Sequence, residues 1–477
     1  MMKQIKHGEY SRATYFHSIL GLGNSNADFK LCPRRTNLPD ARSISNKFHK
    51  DKNSPSLDVT HMVVQFGQFL DHDMAETPNH EEEGDCCSEL QQDQCLPILV
   101  PENDTFYGPR NVNCLTFARS VAFCEENGGT RQQFNDLSHF VDASTVYGSE
   151  EELSKKLRSS VDGKLLVGRN QLLPKNQRGE PLAGDFRANE MPGLAAMHTL
   201  FVREHNRICD LIKNVTNDWN DEKLFQNARR ILIAEYQSIV YGEFLPALHG
   251  SQNLGGLELL KEGSFYDDKT NPSITNEFAT ASYRFGHSMI QGIIELFAMD
   301  NSGKVDEFVL HNEFLDTSRL GASKGKGLEN IIMGLINQPS QTFDKEVTIQ
   351  VTNFLFTDKG IDFGGDLVAR NIQRGRDHGL PGFCCYYKFY QDQSFNCTNG
   401  WSERYEGFSI NDWTLLQSIY DNPSDIDLFT GGLTQKPNSD GPLTGHVFDR
   451  MIGKQSISLI HRELKLDGAI GHFAEPL

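Results

Sequence analysis

Apolar residues recur with helical spacing in residues 58–73. They lie three, four and seven positions apart, which is the spacing of a buried stripe along one face of an α-helix. The stripe consists of Val59, Met62, Val63, Phe66 and Leu70. The segment ends in QFGQFLDHD, where polar residues crowd the last positions. Because an unpaired carboxylate in the interior costs several kcal/mol, the pattern predicts that this end of a core helix faces a ligand or an ion.

Similar periodicity predicts two long amphipathic helices, at residues 193–213 and 222–245, the second closed by Pro246. Shorter helices are expected around residues 278–291, 328–337, 344–353 and 413–420. The segment FVDASTVYGSEEELSKKLRS passes from an extended stretch into a short helix that begins after Gly148 and Ser149. Strand signals are sparse, and neither a repeat nor a linker marks a boundary. The sequence therefore predicts a mainly α fold with very little β-sheet, as one large helical domain over residues 31–477 after a poorly defined segment at 1–30.

Composition narrows the function classes. The chain has 477 residues, 38% of them hydrophobic, and it lacks the run of about 18 apolar residues that a membrane-spanning helix requires. It carries 64 acidic against 46 basic residues, a formal net charge of -18. Such a balance argues against a nucleic-acid partner, whose phosphates attract basic surfaces. We expect a soluble globular protein with no membrane span.

The cysteines indicate an oxidising compartment. Ten cysteines include two adjacent pairs, and none lies in a CxxC array of the kind that binds zinc. The acidic loop ETPNHEEEGDCCSELQQDQC is expected to be exposed and to hold disulfides, whereas Cys209 is expected to be a buried free thiol. Glycosylation sequons occur at Asn103, Asn214 and Asn396. We expect a secreted protein, although the N-terminus shows no signal peptide, so that segment was removed or the chain begins downstream of it.

Two clusters carry candidate chemistry. Gln68, Asp71 and His72 lie at helical positions that share one face, while Asp73 points about 100° further round. In LSHFVDAS (residues 137–144) alternate positions can turn oxygen atoms to one side, as calcium loops require, although Asx- and ST-turns produce similar sequences. The loop positions are Ser138, Phe140, Asp142 and Ser144. A second carboxylate is needed, and Asp73 is the candidate.

Three further motifs are ambiguous when taken singly. GDFRANEMPG precedes a helix expected near Pro192, so its acidic residues could simply cap that helix. SYRFGHSMI and ARNIQRGRDHGLPG carry basic and amide side chains that fit many roles. The residues that these motifs single out are Arg187, Glu190, Met191, Arg284, His287, Asn371, Arg374, Arg376 and Asp377.

Together the motifs resemble the animal haem peroxidase family over residues 40–453, in the family's order: GQFLDHD, FVDASTVYGSE, NEMPG with HTLFVREHNR, RFGH and NIQRGRDHGLPG. The resemblance implies a helical domain around buried haem b. It makes His72 the distal histidine that moves the peroxide proton, Arg187 the distal arginine, and Gln68 the residue that orders water or a halide. His287 becomes the proximal ligand to iron, with Asn371 accepting its second ring proton.

The resemblance also implies how the haem is attached. Arg284 resembles the family arginine near a haem propionate, and Asp71 and Glu190 match residues that form ester links to haem methyl groups. Met191 stands where some members form a sulfonium link to a haem vinyl group. The calcium ion would be bound by Asp73 together with Ser138, Phe140, Asp142 and Ser144. The N-terminal FKLCPRRTNLPDAR and the tail after about residue 453 depart from the family's pattern.

The implied activity is reduction of hydrogen peroxide through an oxoferryl intermediate, followed by oxidation of small anionic donors (halide, thiocyanate) or phenolic ones such as tyrosine. The sequence does not choose between these donors. The alternative is a calcium-stabilised extracellular adhesion or matrix protein that uses the fold as a scaffold. No RGD or KGD triplet occurs, which weakens that alternative. A dual oxidase domain and a cyclooxygenase fit less well, because membrane spans are absent and RFGH replaces the tyrosine motif of cyclooxygenases.

Overall fold

The fold is described from a computed structural model of the chain. It covers residues 37–80, 86–88, 94–123, 132–216, 218–250, 266–300, 302–357, 360–437 and 441–463. The N-terminal segment predicted at 1–30 lies outside these ranges, as does the tail after residue 463.

The described residues fold mainly into helices, and the prediction of a mainly α fold is confirmed. The α-helices are α1 Ala41–Phe48, α2 His61–Met74, α3 Ser144–Tyr147, α4 Glu151–Leu157, α5 Pro192–Val215, α6 Asp221–Ile239, α7 Leu245–His249, α8 Asn276–Thr280, α9 Ala322–Gly325, α10 Gly327–Asn337, α11 Ile349–Thr352, α12 Leu367–Asp377, α13 Phe383–Tyr390, α14 Ile410–Gln417, α15 Leu428–Thr434 and α16 His446–Glu463. Short 3-10 helices connect them, and two of these, Phe186–Asn189 and Ser282–Met289, carry predicted site residues.

β-Structure is confined to short antiparallel pairs in the described part of the chain. The strands are β1 Pro55–Thr60, β2 Ile98–Leu99, β3 Cys114–Leu115, β4 Ala122–Phe123, β5 Gln132–Gln133, β6 Ile293–Phe297, β7 Lys304–Val309 and β8 Pro339–Gln341. They pair as β1 with β8, β2 with β3, β4 with β5, and β6 with β7. In the first pair Pro55 is opposite Gln341 and Thr60 is opposite Pro339. The prediction of very little sheet is therefore also confirmed.

Helix α2 begins later than the apolar stripe predicted. Residues 58–60 belong to β1, and the N–H of His61 donates to the Gln338 carbonyl at 2.8 Å. The backbone before His61 is thus paired with β8, a segment distant in sequence that local periodicity cannot reveal. The predicted helix at 193–213 corresponds to α5, and that at 328–337 corresponds to α10.

The helix at 222–245 is not closed by Pro246. Helix α6 continues through the π-helical turn Val240–Phe244 into α7, which ends at His249. Pro246 lies in the first turn of α7, where a proline needs no N–H donor. The proline therefore starts a helical segment instead of ending one.

The shorter predictions were partly wrong. Residues 278–291 form the end of α8 and a 3-10 helix instead of one α-helix. Only Ile349–Thr352 is helical within 344–353, because Asp344 accepts the N–H of Glu346 in a local turn at 2.8 Å. The helix expected at 413–420 is shifted to Ile410–Gln417, since Ser409 caps it at 3.0 Å through the N–H of Asp412.

Helix α2 lies at the centre of the core. It packs against α5, α10 and the 3-10 helix Ser282–Met289. The ring of Phe69 stacks on Phe201 of α5 with centroids 5.0 Å apart and contacts Tyr236 of α6 at 5.8 Å. Phe66 contacts Phe244 of the π-helical turn at 5.3 Å. This packing fixes the position of α2, and with it the polar residues at its C-terminal end.

Disulfides form where the acidic loop predicted them. Cys86 bonds to Cys95 and Cys87 to Cys114, while Cys384 bonds to Cys397 near α13. Cys209 is a buried free thiol in α5, as expected. No helix among the described residues is long and apolar enough to cross a membrane.

Candidate active site

The polar end of α2 lies beside the 3-10 helix Phe186–Asn189. Asp185 caps this 3-10 helix by accepting the N–H of Arg187 at 2.9 Å. The Arg187 guanidinium donates to the carbonyl oxygens of His72 at 3.3 Å and Ala75 at 3.1 Å. A cation there satisfies carbonyl groups at the C-terminal end of α2 and complements its dipole. Two motifs far apart in sequence therefore meet at this helix end.

Two carboxylates hold the Arg187 side chain. Asp185 accepts Nε at 2.9 Å through Oδ1 and Nη2 at 2.7 Å through Oδ2, a bidentate arrangement. Oε2 of Glu76 lies 3.0 Å from Nη2. Burial lowers the pKa of Arg187, but the carboxylates of Asp185 and Glu76 outweigh burial, and the pKa is raised above its usual value. Arg187 is therefore a fixed cation.

His72 lies between two carboxyl groups without bonding to either. Its Nδ1 is 3.9 Å from Asp185 Oδ1, and its Nε2 is 4.0 Å from Glu190 Oε2. Burial lowers the pKa of His72 well below its usual value; Arg187 lowers it further, while Asp185 opposes the shift. The imidazole is consequently neutral and able to accept a proton.

Two glutamines connect α2 to Glu190. Gln65 donates to Oε1 of Gln68 at 2.9 Å, and Gln68 donates to Oε2 of Glu190 at 2.9 Å. A side chain at Gly193 would place its Cβ 2.2 Å from Gln65 Oε1, so this position must be glycine for Gln65 to fit. Burial raises the pKa of Glu190 to about 7 although Arg187 opposes the shift. The chain of amides fixes the Glu190 carboxyl group near His72.

Asp71 lies between two arginines. Burial raises its pKa to about 6, while the charges of Arg187 and Arg284 oppose the shift. Arg284 belongs to the 3-10 helix Ser282–Met289, which packs against α2. Charges from two sets of side chains thus act on Asp71, and we call the region between these sets the cleft. We call Gln68, His72, Arg187 and Glu190 the α2 wall, and Arg284, His287 and Asn371 the His287 wall.

The His287 wall contains one amide between two basic groups. Arg284 donates through Nη1 to Oδ1 of Asn371 at 2.7 Å, and Asn371 Nδ2 lies 2.7 Å from Nδ1 of His287. Burial and the charge of Arg284 lower the pKa of His287 to about 3, so the ring is neutral. We expected Asn371 to accept a ring proton, but its oxygen is taken by Arg284 and its NH2 group faces the ring. The acceptor role of Asn371 therefore stays a prediction, which would require the amide to turn.

The loop at residues 137–144 contacts Asp73. Asp73 Oδ1 accepts the hydroxyl of Ser144 at 2.6 Å, and Oδ2 accepts the N–H of Ala143 at 3.0 Å. Burial and the nearby carboxylate of Asp142 raise the pKa of Asp73 well above its usual value. Two carboxylates are therefore buried together, as the sequence predicted.

Backbone geometry folds this loop tightly. His139 and Ala143 have φ of 67° and 57°, in the left-handed region that non-glycine residues rarely adopt. Burial raises the pKa of Asp142, whereas Arg229 and a hydrogen bond from Ser138 lower it. Oxygen donors of this type suit calcium. No group of three or more His, Cys, Asp or Glu residues arranged for a metal occurs in the described ranges.

Comparison with known proteins identifies the family to which the chain belongs. A family model described as animal haem peroxidase matches residues 22–461. The chain belongs to the animal haem peroxidase family. Among curated relatives it is 35% identical to chorion peroxidase of Drosophila melanogaster, covering 88% of this chain and 54% of that protein. It is 33% identical to myeloperoxidase of Mus musculus, covering 88% of this chain and 62% of that protein. This member of the family thus spans little more than half the length of these relatives.

Solved structures agree with this haem peroxidase fold. Peroxidase A from Dictyostelium discoideum has a TM-score of 0.79 at 27% identity, covering 94% of this chain and 88% of that one. A fatty acid alpha-dioxygenase from Oryza sativa has a TM-score of 0.69 at 20% identity, covering 89% and 72%. At that identity the second likeness shows the fold alone.

The structure brings together most residues that the sequence singled out for this haem peroxidase. Gln68, His72, Arg187 and Glu190 share one wall, and Met191 follows at the N-cap of α5, half-buried against the core. Sequence reasoning missed Asp185, Gln65 and Glu76. Glu76 had been assigned to an exposed loop, but its side chain is only 19% exposed and pairs with Arg187. The acidic residue two positions before Arg187, in the sequence GDFR, was the available signal for Asp185.

Proposed function

We propose that the protein is a haem peroxidase that reduces hydrogen peroxide and oxidises small donors. The observation that carries this proposal is the pair of neutral histidines, His72 and His287, on two walls that meet at Asp71. A neutral imidazole can bind iron, and a second can accept a proton from peroxide. Other histidines are buried too, but His72 lies 3.9 Å from Asp185 and 4.0 Å from Glu190, and His287 lies 2.7 Å from the Asn371 amide that binds Arg284.

The side chains lining the cleft fit a haem. His287 would supply the ligand to iron. Arg284 would bind a carboxylate of the haem, because its hydrogen bonds go to neutral oxygens of Asn371 and Ala279 and the nearby carboxyl group of Asp71 would lose its charge on forming an ester. Release of Asn371 by Arg284 would let the amide turn and accept the Nδ1 proton of His287. Asp71 and Glu190 have raised pKa values and would form the ester links. The bound haem would supply the redox chemistry.

On the α2 wall the protein's own groups would handle protons and charge. His72 would take a proton from hydrogen peroxide and return it to the leaving oxygen. Arg187 would stabilise negative charge, since its pKa is raised and it stays ionised. Gln68 would hold the Glu190 side chain through the 2.9 Å bond and order small molecules beside His72.

We further assign calcium to the loop at residues 137–144. Asp73 and Asp142 would supply carboxylates, Ser138 and Ser144 hydroxyl or carbonyl oxygens, and Phe140 a carbonyl oxygen. The ion would balance the two buried carboxylates, whose pKa values are raised in its absence. Because Asp73 adjoins His72, the ion would also position the proton-accepting imidazole.

Met191 is assigned a third covalent link to the haem. It directly follows Glu190 and lies half-buried against the core at the N-cap of α5. A sulfonium would withdraw electrons and raise the oxidising power of the haem. Met191→Gln should therefore move the visible absorption maximum and narrow the range of oxidisable halides. An unchanged spectrum and halide range would remove this role.

The relatives support an extracellular setting. Their names include chorion peroxidase and, in Drosophila melanogaster, peroxidasin. With the disulfides at Cys86, Cys87 and Cys384, these names favour secretion and contact with extracellular matrix. A scaffold without catalysis is not favoured, because it would not need both His72 and His287 in a charged cleft.

The visible absorption spectrum provides the test. The protein would be expressed with haem and calcium and mixed with one equivalent of hydrogen peroxide in a stopped-flow instrument. We expect a Soret band that shifts or bleaches within milliseconds and recovers when a phenol is added. Failure to bind haem, or a haem spectrum indifferent to peroxide, would overturn the proposed function.

A further inference from the structure

We propose that Glu76 determines donor specificity, disfavouring anions such as halide and thiocyanate at Arg187 and leaving neutral phenols as the preferred donors. This inference rests on the proposed function and deepens it. It concerns a residue outside the family motifs quoted above, at the point where the chain leaves α2.

An anionic donor needs a cation in the cleft to bind to. A small anion that enters would be attracted to a cation beside His72, and Arg187 is that cation. Its Nε and Nη2 are held by both oxygens of Asp185, and its Nη1 and Nη2 also reach carbonyl oxygens of α2. Glu76 Oε2 lies 3.0 Å from Nη2. The guanidinium therefore has partners on every nitrogen, two of them carboxylates.

The charges around Arg187 determine whether an anion is attracted or repelled. Above pH 7, where Glu76 is ionised although burial raises its pKa to about 7, Glu76 and Asp185 together carry two negative charges against the single positive charge of Arg187. If Asp71 and Glu190 become esters, they lose their charges, and Arg284 would be occupied by a haem carboxylate. The cluster of Arg187, Asp185 and Glu76 is then net negative even with both esters formed. An anionic donor would be repelled, whereas a neutral phenol would not.

Hydrogen bonds hold the backbone of Glu76 on both sides. Its N–H donates to Oδ1 of Asn135 at 2.8 Å, and its carbonyl accepts the N–H of Asp136 at 2.9 Å. The Glu76 side chain is 19% exposed and that of Arg187 is 14% exposed, so solvent reaches both members of the pair. The carboxylate therefore lies against the guanidinium at a position that a dissolved donor can approach.

An exposed aromatic side chain lies next to Arg187. Phe186, on the 3-10 helix that carries Arg187, is 74% exposed, and its ring centroid is 5.9 Å from the guanidinium carbon. An exposed aromatic ring beside the cation offers a contact to an aromatic donor and none to a hydrated anion. The apolar surface and the acidic side chain favour the same class of donor.

The experiment compares the haem-loaded wild type with Glu76→Gln, which removes the charge and keeps the shape. Asp136→Asn is the matched control, because Asp136 is an exposed carboxylate next to Glu76 that does not contact Arg187. Thiocyanate affinity of the resting protein would be measured from changes in haem absorption. The ratio of kcat/KM for thiocyanate to that for guaiacol would be measured with hydrogen peroxide.

We expect Glu76→Gln to tighten thiocyanate binding and raise the donor ratio by about tenfold, the equivalent of one unit charge partly screened near the surface. Asp136→Asn should change both by less than about twofold. Glu76→Met, uncharged and of similar length, should repeat the result if Glu76→Gln does not fold. Equal effects of Glu76→Gln and Asp136→Asn, or no effect of either neutral variant at Glu76, would overturn the inference. The affinity measurement needs no turnover, so it separates this outcome from failure of the peroxidase proposal.

Discussion

The two walls of the cleft hold their arginines in opposite ways. On the α2 wall Arg187 is bound by the carboxylates of Asp185 and Glu76, and its pKa is raised. On the His287 wall burial lowers the pKa of Arg284, and its hydrogen bonds go to neutral oxygens of Asn371 and Ala279. One guanidinium is electrostatically satisfied by the protein alone, while the other is a buried cation that favours an anionic partner.

This difference indicates that the two arginines have different roles. A buried cation bound only by neutral groups is costly, and it gains most from a ligand that brings a carboxylate. Arg187 gains little from such a ligand, because its charge is already balanced. We therefore interpret the His287 wall as the binding side and the α2 wall as the side prepared for proton transfer. Substitutions on each wall test this division.

The largest effect should come from exchanging the two histidines for alanine. His72→Ala should keep the haem but slow the reaction with hydrogen peroxide by about 10²- to 10⁴-fold, the range for loss of a general acid–base group. His287→Ala should instead lose the haem. Stopped-flow absorption and the ratio of Soret to protein absorbance would measure the two effects. An unchanged peroxide rate in His72→Ala would remove its role, and full haem retention in His287→Ala would contradict the division.

Arg284→Leu should weaken haem binding without slowing the proton transfer in molecules that retain haem. Loss of a charge-assisted hydrogen bond costs about 1.5–3 kcal/mol, which corresponds to roughly 10- to 100-fold in affinity. Arg284→Lys keeps the charge and should recover part of the loss. Haem affinity would be measured by titration of the haem-free protein. Equal affinity in Arg284→Leu and the wild type would show that Arg284 binds no haem carboxylate.

Asp73→Asn should remove the stabilisation by calcium, whereas Asp71→Asn should keep it. The two aspartates are two positions apart on α2, but only Asp73 contacts the loop at Ala143 and Ser144. At calcium ten times above its Kd, binding adds about 1.4 kcal/mol to the free energy of unfolding. Thermal unfolding with and without calcium would measure this. Equal calcium effects in the two variants would exclude Asp73 as a ligand.

The sequence predicted the site better than it predicted the limits of the elements. Helical periodicity and the polar cluster located the end of α2 correctly, because both are local properties. The start of α2 was wrong because β1 pairs with β8, whose residues lie far along the chain. The prediction that Pro246 closes a helix was wrong for a related reason, because a proline can lie in the first turn of a helical segment as well as end one.

The missed site residues share a physical cause. Asp185 caps the 3-10 helix that carries Arg187, and Gln65 reaches the site through Gln68. Neither residue therefore belongs to a sequence pattern that indicates its role. Glu76 opens an acidic loop, and its composition predicts exposure. Only the fold of α2 against Phe186–Asn189 turns that side chain toward Arg187. Likewise, the direction of the Asn371 amide depends on Arg284 competing for its oxygen, which spacing cannot predict.

The last prediction concerns pH and the carboxyl groups on the α2 side. On the α2 side the pKa values of Glu76 and Glu190 are raised mainly by burial, each to about 7 from an ordinary value of 4.5. Between these values the folded protein keeps protons that the unfolded chain releases. The free energy of unfolding contributed by these groups is therefore lost as pH rises from about 4.5 to 7, with a slope of at most about 1.4 kcal/mol per pH unit for each group.

Urea unfolding of the haem-free protein at several pH values between 5 and 8 would measure this contribution. Glu76→Gln and Glu190→Gln should each make the curve of unfolding free energy against pH less steep, because an amide releases no proton. Glu152→Gln, which removes an exposed carboxylate on α4, should leave the slope unchanged. In the haem-loaded protein only Glu76→Gln should retain its effect if Glu190 has become an ester. An equal effect of Glu190→Gln with haem bound would show instead that this carboxyl group remains free, and the link to the haem would have to come from Asp71 alone.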